Sequence, residues 1–493
     1  MARLDTILIA NRGEIACRII KTCRRLGKRA VMVYHEADSN SLAVRMADAA
    51  VRIDGPTPVA AYLSIDNILN ACRELGANAV HPGFGFLSEN ADFARQATDA
   101  GIVFIGPTPE AIAAMGDKIQ SKRLASRSAV NIIPGYDGVI RDANHALDVA
   151  KSVGFPVMIK ASAGGGGKGM RVVHTEAECR EAFERTTSEA KAAFGDGRVL
   201  IEKFITQPRH IEIQVLADAS GNTVHLGERE CSIQRRHQKI IEEAPSPFLD
   251  EATRAAMGAQ AVALAKAVGY RSAGTVEFVV DRDRNFYFLE MNTRIQVEHP
   301  ITEMITGLDI VAEQIRVAEG EPLGYGQDAI RLQGHAIECR LCAEDADNNF
   351  VPSTGKVRVF RTPHDDWFRL DSGIVEGDQV TVNFDSMLAK LIVFGVDRAE
   401  AISRMRTALQ HTVALGVTTN AGYLERVLSH PKFETGEIHT GFLSEYEEEL
   451  KQTPLTEEQA TAVIATALLS NRTVADARYA ASVMHAGIGN WRN

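Results

Sequence analysis

Over the first hundred residues, short uninterrupted apolar runs alternate with amphipathic stretches. Thr6-Ile7-Leu8-Ile9-Ala10 reads as a buried strand, residues 15–26 carry helical spacing stopped by Gly27, and Ala30-Val31-Met32-Val33-Tyr34 reads as a second strand. Strand, helix and strand in that order predict a βαβ unit and a parallel sheet. The alternation continues through Ala79-Val80 and Ile102-Val103-Phe104-Ile105. Beyond residue 150 the pattern shifts toward paired strands. Residues 155–160 and 170–173 flank a glycine run, and residues 199–205 form a further strand. His210, Glu212 and Gln214 then alternate with Ile211, Ile213 and Val215, which gives one polar and one apolar strand face. Asp250 is placed to cap an alanine-rich helix that ends before Gly269. Residues 335–341, 356–360, 379–382 and 391–394 read as strands, and residues 398–415 as a helix closed by Gly416. Thr456-Glu457-Glu458-Gln459 has the form of a capping box, and residues 473–484 suggest a last helix. The fold class is α/β followed by α+β.

The most informative stretch is Glu290-Met291-Asn292-Thr293-Arg294-Ile295-Gln296-Val297-Glu298, whose polar residues recur at every second position. If it is extended throughout, Glu290, Asn292, Arg294, Gln296 and Glu298 share one face. The turn-rich segment 281–285 separates Thr275-Val276-Glu277-Phe278 from Phe286-Tyr287-Phe288-Leu289-Glu290. A hairpin there brings Glu277 opposite Glu290. Facing like charges are unfavourable, so a cation between them is expected, and magnesium takes such hard oxygen ligands. The alternative is a solvated polar face with Arg294 paired to its neighbours.

Three other stretches carry chemistry. Ala161-Ser162-Ala163-Gly164-Gly165-Gly166-Gly167-Lys168-Gly169 joins two strands and lacks the Lys-Ser or Lys-Thr pair of a Walker P-loop. Its bare backbone suits a lid closing over phosphates, with a plain linker as the alternative. Gln234-Arg235-Arg236-His237-Gln238-Lys239 is the densest basic cluster of an acidic chain and suits a pocket for a small anion. His81-Pro82-Gly83-Phe84-Gly85-Phe86 is a glycine-punctuated loop at a strand's carboxyl end, where open α/β sheets place ligands. The first βα turn, Asn11-Arg12-Gly13-Glu14, lacks a dinucleotide fingerprint.

Composition narrows the class. At 493 residues the chain predicts about three domains, and 45% hydrophobic with 24% charged residues is ordinary for a globular enzyme. A net charge of −10 argues against nucleic-acid or anionic-membrane binding. No apolar run approaches a membrane span, and the opening residues run into a strand rather than a targeting peptide, so the expected location is cytoplasmic. Seven cysteines in so long a chain suit a reducing compartment, and the lone Cys339–Cys342 spacing has no partner pair to make a metal site.

With these residues laid out, residues 3–446 resemble the biotin carboxylases, the ATP-grasp component of biotin-dependent acyl-CoA or pyruvate carboxylases. Ile9-Ala10-Asn11-Arg12-Gly13-Glu14, the His81 loop, the glycine loop, Arg235-Arg236-His237-Gln238-Lys239 and Glu290 through His299 occur in the family's order. The resemblance implies an ATP-grasp fold divided as 1–114 (N-terminal α/β), 115–334 (ATP-grasp, lid about 133–204), 335–446 (C-terminal α+β) and 447–493, a helical tail expected to dock a partner. It implies carboxylation of biotin N1′ by ATP and bicarbonate through carboxyphosphate. ATP would be held by Lys118, Lys160, Gly165, Gly166, Gly167, His210, Gln234 and His237, with Glu202, Lys203, Ile205 and Ile438 about the adenine. Glu277, Glu290 and Asn292 would hold Mg2+ or Mn2+. Lys239, Arg294, Gln296 and the Val297 backbone would hold bicarbonate, Glu298 would be the general base, and Arg340 would steady the biotin enolate oxygen. Phe84 stands where the family usually has tyrosine, so it offers the biotin pocket no hydroxyl. No Met-Lys-Met attachment motif occurs, so the expected partners are a biotin carrier protein or domain and a carboxyltransferase, in a homodimer or larger complex. The alternatives are another bicarbonate-activating ATP-grasp ligase, such as a carbamoyl-phosphate synthetase component, and a non-catalytic nucleotide-binding scaffold.

Overall fold

The structure is a computed structural model that describes residues 3–136, 138–162, 169–453 and 456–469. Contacts divide the chain into two units, Met1–Leu450 and Lys451–Asn493.

The expected parallel sheet is present. Its five strands lie in the order Ala49–Arg52, Arg29–Tyr34, Thr6–Ile9, Ala79–His81 and Val103–Phe104, all parallel. The helix Gly13–Arg25 crosses between the first two in sequence, and Gly13 begins it at a φ of 65°, a conformation costly for other residues. Ile15, Ile19, Ile20 and Cys23 pack from it against Ile7 and Ile9.

The second sheet is large and antiparallel. Its eight strands run Phe286–Asn292, Ser272–Val280, Arg209–Ala217, Thr223–Arg235, Gln238–Ala244, His335–Cys342, Met387–Gly395 and Phe368–Ser372. The sheet is thus continuous across residue 335. One face near its first strands is covered by the alanine-rich helix Glu251–Ala267, which Asp250 caps through Thr253 N–H. The face near its last strands is covered by Arg398–His411, through Ala401, Met405 and Ala408. A third, three-stranded sheet holds Met170–Val173, Val157–Ala161 and Val199–Lys203, so the glycine run does join two paired antiparallel strands.

Two sequence expectations need correction. The helix over 398–415 stops at His411, and Val413–Leu415 instead pairs with Val359–Arg361 as a strand. Its β-branched Thr412-Val413 favours that ending. The strand over 290–298 stops at Asn292, and residues 293–298 form a loop leading into the helix His299–Thr306. In the tail, Thr456 and Gln459 make the reciprocal hydrogen bonds of the capping box at the head of Glu457–Leu469. The helix expected over 473–484 lies outside the described residues.

Candidate active site

The eight-stranded sheet, the three-stranded sheet, loops of the parallel sheet and the loop after Asn292 line a cleft of about 770 Å³. The hairpin register is as expected: Glu277 lies directly opposite Glu290. Lys118, Lys160, His210, Gln234, His237, Lys239, Asn292, Arg294, Gln296, Val297, Glu298, Arg340 and Phe84 also line this cleft. The loop after Asn292 therefore gathers the polar side chains that a continuous strand was expected to align.

Lys239 is the hub. Its Nζ lies 2.6 Å from Glu212 Oε2, 2.7 Å from Glu298 Oε1 and 3.1 Å from Glu277 Oε1. Glu277 Oε1 also accepts from Asn292 Nδ2 at 2.9 Å and Gln296 Nε2 at 2.8 Å. His210 Nε2 donates to Glu277 Oε2 at 2.8 Å, while its Nδ1 accepts from Gln234 Nε2 at 2.7 Å, which fixes the ring. Burial alone would raise the Glu277 carboxyl, but Lys239 and His210 hold it well below the usual range. Glu290 moves the other way, pushed up by burial and by the facing Glu277. Two facing acids, one starved of positive charge, have the chemistry of a divalent-cation seat.

Glu298 sits at the head of the helix His299–Thr306, where the aligned peptide dipoles favour an anion. Arg340 Nη2 is 3.1 Å from Glu298 Oε2, and its Nε donates to Glu242 Oε1 at 2.6 Å. Burial opposes the charge on Glu298, yet Lys239, Arg340 and Arg229 overcome it and keep the carboxyl ionised. Arg294, which lines the cleft, is held by Glu89 Oε2 at 2.9 Å and Asn292 Oδ1 at 2.8 Å.

Four expected nucleotide residues lie apart from this cleft lining. Glu202 is buried in ion pairs with Lys160 at 2.6 Å and Lys122 at 3.1 Å, which keep its carboxyl below the usual range although burial raises it. Lys203 Nζ donates to the Gly154 and Phe155 carbonyls at 2.8 and 3.0 Å. Ile205 lines neither this cleft nor the smaller ones, and Ile438 lines a second cavity with Arg209 and Phe248. Gly165, Gly166 and Gly167 lie outside the described residues.

Sequence reasoning missed Arg229, Glu89 and Lys390. Arg229 is fully buried and donates to Glu212, Gln214, Thr302, Thr275 and Gln296 at 2.5–3.1 Å. The available signal was an arginine set between Glu228 and Glu230 inside the long strand Thr223–Arg235, a placement that demands buried partners.

Comparison with known proteins decides the family. Residues 3–112 match the family described as biotin carboxylase, N-terminal domain, and residues 338–445 match biotin carboxylase C-terminal domain. Residues 117–325 match carbamoyl-phosphate synthase L chain, ATP binding domain. A pyruvate carboxylase component of Methanothermobacter thermautotrophicus is 52% identical over 440 residues, covering 89% of each chain.

This chain belongs to the biotin carboxylase family.

As a biotin carboxylase it is an ATP-dependent ligase of the ATP-grasp fold. The propionyl-CoA carboxylase alpha chain of Sus scrofa is 55% identical over 467 residues, which cover 94% of this chain and 64% of the relative. The chain therefore spans about 64% of that relative's length. The biotin carboxylase domain dimer of Hydrogenobacter thermophilus 2-oxoglutarate carboxylase, solved with MgADP, ADP and bicarbonate, superposes with a TM-score of 0.88. It is 45% identical and covers 92% of this chain and 100% of its own.

Proposed function

We propose that the cleft carboxylates biotin N1′ on a carrier protein, with bicarbonate first activated by ATP as carboxyphosphate, and that the roles fall to the residues named from the sequence. The observation that carries this reading is the contact of Lys239 with both Glu277 and Glu298 while Arg340 holds the far oxygen of Glu298. One ammonium and one guanidinium thus border the cation seat, the base and the anion pocket together. Glu277, Glu290 and Asn292 would hold a divalent cation, which would draw charge from the nucleotide phosphates. Lys118, Lys160, His210, Gln234 and His237 face the phosphates and ribose, and the glycine loop expected as their lid includes residues outside those described. Glu202, Lys203, Ile205 and Ile438 frame the adenine.

Bicarbonate sits between Lys239, Arg294, Gln296 and the Val297 N–H, and Glu298 accepts its proton. An ionised carboxylate gripped by two cations is a weak base. As Lys239 and Arg340 turn toward substrate anions, Glu298 loses that compensation and its proton affinity rises where transfer is needed. Arg340 then stabilises the developing oxyanion of the biotin ureido group.

On this reading residues 1–114, 115–334 and 335–446 act as the three working parts around the cleft, and 447–493 docks a partner. The partners are a biotin carrier and a carboxyltransferase, in a homodimer or larger assembly that carboxylates an acyl-CoA or pyruvate. All seven cysteines are free, which suits the cytoplasmic expectation, although the Sus scrofa relative is named as mitochondrial. The test is ADP release by the purified chain with Mg2+: it is expected to require bicarbonate and to rise with free biotin. ADP release that is indifferent to biotin but rises with an amine donor would overturn it in favour of a carbamoyl-phosphate type of chemistry.

A further inference from the structure

The Ile9–Glu14 signature takes no part in the reaction just assigned, yet its last residue is tied to the catalytic loop. Glu14 is buried at the start of the helix Gly13–Arg25. Its Oε2 lies 3.2 Å from Lys390 Nζ as an ion pair, and neither carboxylate oxygen has an aligned hydrogen bond. Lys390 is fully buried in the strand Met387–Gly395, opposite Arg340 on one side and Asp371 on the other. Its Nζ lies 3.9 Å from Asp371 Oδ2 and donates to the Val297 carbonyl at 2.7 Å. The turn at Glu14 is itself wedged, because a Cβ on Gly373 would fall 2.7 Å from Glu14 N and 2.9 Å from Gly13 C.

A buried ammonium carries a large desolvation cost, which an apolar side chain of similar length avoids. What the lysine supplies is a grip on a loop that has no sheet partner. Val297 stands between two peptide planes. The one before it is fixed by His299 Nδ1, 2.7 Å from the Gln296 carbonyl oxygen, and the one after it by Lys390. Together they set the direction of the Val297 N–H and the place where Glu298 leaves the chain.

We propose that Lys390, braced by Glu14 and Asp371, is a positioning residue for the bicarbonate step, clamping the Val297–Glu298 peptide against the His299-held peptide that carries the Val297 N–H, so that this amide and the base face one bicarbonate ion. The N-terminal signature thereby acts on the reaction through the C-terminal strand. This rests on the reading of Val297 and Glu298 given above.

The test uses the full chain carrying Lys390→Met, with ADP release followed against bicarbonate and, separately, against ATP, and rates normalised to sites that bind a fluorescent ATP analogue. The expected result is a KM for bicarbonate raised about tenfold or more, with the KM for ATP within about twofold. Glu14→Gln shifts the same constant in the same direction by less. A merely structural lysine would lower the number of active sites and leave both KM values alone, and that outcome overturns the proposal. If Lys390→Met does not fold, Glu14→Gln and Gly373→Ala decide: an unchanged KM for bicarbonate in both overturns it. Failure of the underlying reading looks different, because wild-type protein would then show no dependence on bicarbonate at all.

Discussion

Replacing Arg229 by methionine is the most demanding test of the electrostatic frame. The guanidinium is fully buried and its hydrogen bonds number one from Nε, two from Nη1 and two from Nη2, so no N–H is left over. Methionine fills similar space but strands Glu212, whose Oε1 loses its 2.6 Å partner and keeps only Lys239 on Oε2. Breaking a buried pair by removing one partner costs about 3–5 kcal/mol, a large share of a domain's net stability. The threonine hydroxyls at 275 and 302 can turn to new acceptors, so they add little. Denaturant unfolding of Arg229→Met against wild type measures the loss. Arg229→Met with Glu212→Gln removes the stranded charge and is expected to recover more than half of it. A single variant within about 1 kcal/mol of wild type, or a double variant no better than the single, would refute the account of the cluster as mutually required charges.

Two further outcomes concern the cleft and a third the loop beside it. Glu298→Gln is expected to bind the nucleotide normally and lose bicarbonate-dependent ADP release, and near-normal turnover would remove Glu298 as the base. Arg340→Met should cost roughly a hundredfold or more in biotin carboxylation, as loss of an oxyanion donor does, measured by labelled bicarbonate incorporation into biotin. His81 is fully buried and its pKa is pushed down to about 4 by burial, while its Nδ1 accepts from Gly83 N–H at 3.0 Å. Because the folded state holds this ring neutral, stability from it is full above the ordinary histidine range and is lost as pH falls from about 6.5 toward about 4, by about 3 kcal/mol at most. His81→Asn, which keeps an acceptor for Gly83, should lose less stability between pH 7 and 5 than wild type, as read from denaturant midpoints; equal acid sensitivity would count against this.

The elements that sequence made legible were those specified by local pattern. The opening βαβ unit, the Asp250 cap and the register of Glu277 against Glu290 each follow from residues close in the chain. Alternation failed at 293–298 because a polar residue at every second place is compatible with a loop held at one cleft by Glu89, Lys390 and the following helix. The same limit hid Arg229 and Lys390. Each is a cation buried within a central strand, and its meaning depends on partners 15–73 and 19–376 residues away, respectively.

Charge accounting links the frame to its chemistry. Four buried carboxylates, Glu212, Glu242, Glu277 and Glu298, meet three permanent cations, Arg229, Lys239 and Arg340. These carboxylates outnumber the cations by one, before the buried Glu338 opposite Glu242 is counted. Burial pushes Glu242 up to about 7, while His210, which burial alone would lower, is raised by Glu277. Burial of unmatched negative charge thus favours the protonated form of Glu242, beside the carboxylate proposed as the base. Glu242 is bonded to that base's partner Arg340 through the same guanidinium that contacts Glu298. A fully matched set of charges would hold all four carboxylates ionised; with one in surplus, Glu298 keeps its cations while Glu242, which shares Arg340 with it, is pushed up.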